Sequence, residues 1–182
     1  MYAIISELDH SIDMMIEKLR NESTADCGRE LPQMQWPYHL SWQGAEAYSL
    51  EETENRVQMI ARTFAPIETR IDGFGVFTSE EPVLYLTVTR TPALSALNET
   101  LWEALRPLSK GINDYFSPDE WVPHVSILYG GPDSLPLMRC LANNLISKPL
   151  RILIRIDHLS LGYFRGQENG VIFRFPLTGE GE

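Results

Sequence analysis

The sequence predicts an α+β fold: a single bilobal domain over residues 1–182, duplicated internally, with two antiparallel sheets facing a central cleft and helices on the outside. Three observations predict it. The order strand, helix, histidine-bearing strand, helix, strand is written twice along the chain. The histidine lies about 40 residues after the start of the first strand in both halves. Finally, the tripeptide Arg70-Ile71-Asp72 recurs as Arg155-Ile156-Asp157, about 31 residues after the histidine of its half in both cases. The halves divide at approximately residues 1–80 and 81–182.

Tyr2 to Leu8 is apolar-rich and reads as a strand. Asp9 or Ser11 can cap a helix through about Arg20, with Ile12, Met15, Ile16 and Leu19 on one face. After a polar loop, Pro37 to Trp42 is a short strand. Ser49 with Glu52 resembles a capping box that opens a helix to about Phe64. Ile67 to Phe77 is a strand and closes the first half.

In the second half, Val83 to Arg90 is β-rich. Thr91 caps and Pro92 begins a helix through about Arg106. A loop leads to the strand Val122 to Tyr129, and Ser134 caps a helix to about Ile146. Leu150 to Phe164 reads as one long strand, with Gly170 to Pro176 pairing back onto it.

No apolar run approaches the roughly 20 residues that span a bilayer, and the N-terminus lacks the basic and long apolar regions of a signal peptide. Cys27 and Cys140 form no zinc or redox spacing, and the expectation is two free thiols in a cytoplasmic protein, with a structural disulfide as the lesser alternative. The net charge of −10 and pI near 4.9 disfavour long nucleic-acid tracts, whose binding rests on Lys and Arg neutralising phosphates. They leave room for a small nucleotide or an RNA-terminal phosphate held in a local cleft. A monomer is expected, with no membrane partner and no cofactor.

The chemistry concentrates in two mated elements, His39-Leu40-Ser41 and His124-Val125-Ser126. Strands place residues i and i+2 on one face, so each presents an imidazole beside a hydroxyl. Across a cleft, the two pairs suit phosphoester cleavage. One imidazole serves as general base and the other as general acid near neutral pH. The hydroxyls donate to non-bridging phosphate oxygens. No metal is required, and no carboxylate cluster suggests one. A third element, His158-Leu159-Ser160, has no mate, since His158 aligns with Gly73; it reads as structural, with the cleft wall as the alternative. His10, near a helix start, reads as a surface residue.

Two H-x-[ST] elements about 85 residues apart, each in a duplicated half, resemble the 2H phosphoesterase superfamily, which includes the 2′-5′ RNA ligase-like proteins. The run Trp121-Val122-Pro123-His124-Val125-Ser126-Ile127-Leu128-Tyr129-Gly130 is similar to the signature of the cyclic phosphodiesterase branch. The resemblance implies catalytic roles for His39 and His124, phosphate contacts for Ser41 and Ser126, and a substrate contact for Tyr129. Strict alternation, however, sets Tyr129 opposite His124, so a bulge or strand end near Gly130-Gly131 must re-aim it, or it is a core or rim aromatic. Phe77 is either a stacking platform for a base or a core residue. Trp42 departs from the usual aliphatic residue after Ser41.

The implied activity is metal-independent hydrolysis of a cyclic phosphate, of the 2′,3′-cyclic nucleotide or ADP-ribose 1″,2″-cyclic type. The alternatives are a 2′-5′ RNA ligase, a 2′-5′ or cyclic oligonucleotide phosphodiesterase, and a module that binds a phosphorylated ligand without turnover. The loops at Asn21–Trp36 and Lys110–Glu120 are expected to rim the pocket.

Overall fold

In the computed structural model every strand pairs antiparallel to its neighbours. The structure describes residues 1–29, 31–32, 34, 36–131, 133–165 and 168–180. The first half contains β1 (Tyr2–Glu7), α1 (His10–Thr24), β2 (His39–Tyr48), α2 (Leu50–Thr63) and β3 (Ile67–Phe77). The second contains β4 (Val83–Val88), α3 (Pro92–Leu105), β5 (Ser109–Ile112), β6 (His124–Tyr129) and α4 (Leu135–Ile146). It ends with β7 (Ile152–Ile156), β8 (His158–Arg165) and β9 (Glu168–Pro176).

One sheet has the order β5-β2-β1-β8-β9 and the other β6-β4-β3-β7. Each sheet therefore takes strands from both halves. β3 leaves the first half to lie between β4 and β7, and β8 leaves the second to lie between β1 and β9. The two Arg-Ile-Asp copies consequently sit on adjacent strands, where Glu68 faces Arg155 and Ile67 faces Ile156.

The long strand expected over Leu150 to Phe164 is two strands in different sheets, broken at Asp157. The reason is a change of phase. Ile154 and Ile156 are buried at even positions, whereas Leu159 and Leu161 are buried at odd ones. A strand cannot bury both sets against one surface. β2 is longer than the expected Pro37 to Trp42, because its Gly- and Ala-rich end is paired by β5, a short edge strand read as loop.

α1 is capped by Asp9, whose Oδ1 accepts from the Ser11 and Ile12 amides at 2.8 and 3.1 Å. Ile12, Ile16 and Arg20 form its buried stripe at i, i+4 and i+8, while Met15 is 48% exposed rather than inward. The buried Arg20 guanidinium holds Glu17 at 2.8 Å, the Tyr38 hydroxyl at 3.2 Å and the Pro32 carbonyl at 2.7 Å. Thr91 caps α3 through the Leu94 amide at 3.2 Å, as expected. The capping box at Ser49 does not form: Ser49 makes no side-chain cap bond, and its amide, which Glu52 would have engaged, already donates to the Leu108 carbonyl at 2.9 Å. Ser134 likewise spends its hydroxyl on Gly131 instead of capping α4.

Cys27 and Cys140 are disulfide-bonded, not free thiols. The packing of α1 against α4 brings together two residues 113 positions apart, a proximity that no sequence spacing encodes. The bond ties the turn after α1, which leads into the loop toward the cleft, to the outer helix of the other half.

Candidate active site

The site begins with the two repeat-mate strands. Val122 precedes Pro123, which holds it extended, and its carbonyl lies 2.7 Å from His124 Nδ1. In the first half the Pro37 carbonyl lies 2.9 Å from His39 Nδ1. A carbonyl only accepts, so each Nδ1 carries hydrogen and each neutral ring presents an unprotonated Nε2. One backbone device thus sets the same tautomer in both halves.

Each serine is followed by a β-bulge. Along β1 the partner jumps from Gln43 at Ile4 to Ser41 at Ile5, leaving Trp42 unpaired. Along β4 it jumps from Leu128 at Leu84 to Ser126 at Tyr85, leaving Ile127 unpaired. The extra residue reverses the alternation downstream. Trp42 and Gln43 are both fully buried, as are Ile127 and Leu128. Tyr129 is thereby returned to the face of His124 and Ser126, 57% exposed on the cleft. The bulge that re-aims Tyr129 lies at Ile127, not at Gly130-Gly131. The corresponding bulge in β2 accommodates Trp42, whose ring stacks on Trp121 at 5.1 Å and donates to Ser6 Oγ at 2.8 Å. Trp121 in turn donates to the Ser41 carbonyl at 3.0 Å, fastening the second half to the serine strand of the first.

These strands open onto a cleft of about 1140 Å³. His39 and Ser41 line it from one sheet; Phe77, His124, Ser126 and Tyr129 line it from the other. The rim includes Met34 and Trp36 from one expected loop and Asn113 and Tyr115 from the other. Glu30, Gln33 and Gln35 of that first loop lie outside the described residues. Among the described residues no group of three or more His, Cys, Asp or Glu side chains is placed to hold a metal ion.

Each imidazole has its own aromatic flank. Phe77 stacks on Tyr85 at 4.2 Å and meets His124 edge-on at 4.8 Å. It belongs to the wall of the cleft and not to the core. Phe164 stands 6.4 Å from His39 and 5.2 Å from Trp36. Burial lowers the basicity of His39, against the opposing effects of the Pro37 carbonyl and the Glu7 charge. Burial also lowers that of His124, which the Val122 carbonyl opposes and the proximity of His39 reinforces. The two rings therefore sense each other's charge.

The third element, His158-Leu159-Ser160, does not line the cleft. His158 donates to Glu7 at 2.8 Å and to Asp157 at 2.7 Å, and Ser160 accepts from Arg174 Nε at 3.3 Å. His10 is exposed at the start of α1. Sequence reasoning missed Glu7, Tyr85, Phe164 and Arg174. For Glu7 a signal existed: it continues the inward series Ala3 and Ile5, and an acid on an inward face is rarely left without a partner.

The family model of the 2′-5′ RNA ligase superfamily matches residues 8–168. Solved structures of similar fold include the Thermus thermophilus protein TT0787, at 17% identity and TM-score 0.66 over 99% of each chain. E. coli LigT complexed with 3′-AMP is similar at 15% identity and TM-score 0.64 over 97% of each chain. Kluyveromyces marxianus Usb1 is similar at 12% identity and TM-score 0.56, again over 97% of each chain. Curated protein sequences contain no match. At these identities the structures speak for the fold, while the family model spans most of the chain; with paired His-x-Ser strands facing one cleft, the chain belongs to the 2′-5′ RNA ligase superfamily, the 2H phosphoesterases.

Proposed function

We propose that the cleft is a metal-independent phosphodiesterase site that hydrolyses a cyclic phosphate, of the 2′,3′-cyclic nucleotide or ADP-ribose 1″,2″-cyclic type, to a monoester. The carrying observation is the matched tautomer: two imidazoles in one cleft, each with Nδ1 committed to a backbone carbonyl and Nε2 left for chemistry. One Nε2 accepts a proton from the attacking water. The other donates to the departing ribose oxygen. Ser41 and Ser126 donate to the non-bridging oxygens, where negative charge grows. Tyr129 contacts the phosphate or its sugar, and Phe77, with Tyr85 behind it, offers a face to a base.

LigT has been crystallised with 3′-AMP, ATP, NADP+ and phosphate, and a phosphate-bearing nucleotide fits the same reading here. The acidic balance of the chain ranks hydrolysis of a small substrate above joining of long RNA. One observation favours a second reading. The cleft exceeds the roughly 300–1,000 Å³ usual for small-molecule sites, which suits a 2′-5′-linked or cyclic oligonucleotide.

The test is incubation with 2′,3′-cyclic nucleotides and a panel of 2′-5′-linked and cyclic oligonucleotides, in EDTA. A monophosphate product is expected, and His39→Ala and His124→Ala should each lower the rate by roughly 10²–10⁴. Full activity in both variants would refute the mechanism; a stable complex with intact substrate would favour a binding module. We further propose a monomeric, cytoplasmic enzyme. The Cys27–Cys140 bond runs against that location, because the cytoplasm keeps thiols reduced. Thiol titration of protein taken directly from cells tests it, two free thiols supporting the cytoplasm and none refuting it.

A further inference from the structure

The two histidine strands are so alike that their own residues do not distinguish acid from base. The difference lies one strand away. In the ladder between β1 and β2, Glu7 is the partner of His39; in the ladder between β4 and β6, Thr87 is the partner of His124. Directly opposed residues of antiparallel strands share a face, with Cβ atoms about 4.5–5.5 Å apart. One strand further, Thr87 faces Gly73, whereas Glu7 meets His158, the residue that aligns with Gly73. One imidazole thus has a carboxylate beside it and the other a hydroxyl.

Glu7 is held as an anion. Its side chain is 7% exposed, Arg174 from β9 donates to Oε1, and His158 from β8 donates to Oε2 at 2.8 Å. Both His158 ring nitrogens face carboxylates, Glu7 and Asp157, and these raise its basicity, so the charged ring that donates to both is favoured over a neutral one whose Nε2 would accept from the Glu7 amide 3.3 Å away. The cations occupy the two carboxylate oxygens of Glu7, and Arg174 is more than half exposed and screened by solvent. Tyr85 is the titratable group tilted against His124, with ring centroids 5.1 Å apart; the acid nearest on that sheet, Asp72 of β3, lies beyond Thr87 and accepts from Thr87 at 3.4 Å and Thr89 at 2.6 Å, with Arg70 at 3.4 Å.

We propose that Glu7 is a positioning residue that keeps the single proton shared by the two imidazoles on His39, making His39 the general acid and His124 the general base. The assignment deepens the phosphodiesterase reading and rests on it. Burial makes a doubly charged pair costly, and a nearby carboxylate stabilises the imidazolium that it faces. In the step, His124 Nε2 takes a proton from water as the water oxygen bonds to phosphorus. The bond from phosphorus to the ribose oxygen breaks, and that oxygen takes the proton from His39 Nε2. Water supplies the added H and OH, and the pair ends with its proton moved from His39 to His124.

The decisive experiment follows each imidazole by nitrogen NMR in the intact protein, with and without Glu7→Gln. His39 should titrate at higher pH than His124. Glu7→Gln should lower the His39 midpoint by about 0.5–1 pH unit and narrow the gap. Arg174→Gln, at a more exposed position, should raise the His39 midpoint and serves if Glu7→Gln misfolds. A reversed order, or a His39 midpoint that neither substitution moves, overturns the proposal whether or not the protein turns over any substrate. Kinetics give an independent arm. A phosphodiester with a nitrophenolate leaving group needs little protonation, so His39→Ala should retain at least tenfold more activity on it than His124→Ala; the opposite ranking overturns the assignment. Turnover of no phosphodiester at all would refute the enzymatic reading and leave the NMR result as the test of proton placement.

Discussion

The Glu7 cluster makes a stability prediction whose size follows from its geometry. Burial works against ionisation of Glu7, yet hydrogen bonds from His158, Arg174 and Ser160 outweigh it and hold the carboxyl at about 2, against an ordinary 4.5. Each pH unit of such a difference corresponds to about 1.4 kcal/mol, so the folded state favours the charged carboxylate by on the order of 3 kcal/mol. The group is depressed in the fold. Its stabilisation is therefore present above the unfolded value and is lost as pH falls through the folded one. Glu7→Gln imitates the protonated form in nearly the same volume. Urea unfolding, followed by the fluorescence of the buried Trp42 and Trp121, should find the variant less stable by on the order of 3 kcal/mol between pH 5 and 6. The gap should shrink to about half by pH 3 and nearly vanish by pH 2. A gap under about 1 kcal/mol at pH 6, or one that stays constant between pH 5 and 3, would refute the reasoning.

Two further outcomes follow from the same structure. Although burial opposes it, the flanking Glu7 and Asp157 carboxylates raise the basicity of His158; its stabilisation is complete below its unfolded value of 6.5 and is lost as pH rises through the folded one, so the advantage of wild type over His158→Gln should shrink between pH 6 and pH 9 in the same unfolding assay. The Cys27–Cys140 bond closes a loop of 113 positions, and on chain-entropy grounds Cys27→Ser should cost up to about 5 kcal/mol, lowering Tm by on the order of 10 °C or more in a calorimetric scan; a change of under about 2 °C would show that α1 and α4 hold together without it.

Much of this architecture was legible because it depends on local rules. Thr91-Pro92 announces α3 and Asp9 announces α1, since a cap needs only an acceptor a few residues from orphan amides. The internal repeat singled out His39 and His124 from four histidines, and period-two geometry joined each to its serine. The errors arose where partners intervened. Ser49 lost its cap because Leu108, far along the chain, had taken its amide. Leu150 to Phe164 looked continuous because each of its two pieces is a good strand; only the phase slip at Asp157 records that they serve different sheets.

By itself, then, the sequence determined the duplicated order of elements, the pairing of each imidazole with a hydroxyl, and the family. These are set by residue type and by spacings of a few residues. The tertiary structure alone decided which face Tyr129 presents, because the bulge at Ile127 is a mismatch between β6 and β4 and not a property of either strand. It also decided that the two histidines are not equivalent. Their strands match, but Glu7, His158 and Arg174 reach the surroundings of His39 from three other strands, and charge acts through space regardless of how far apart residues lie in the chain.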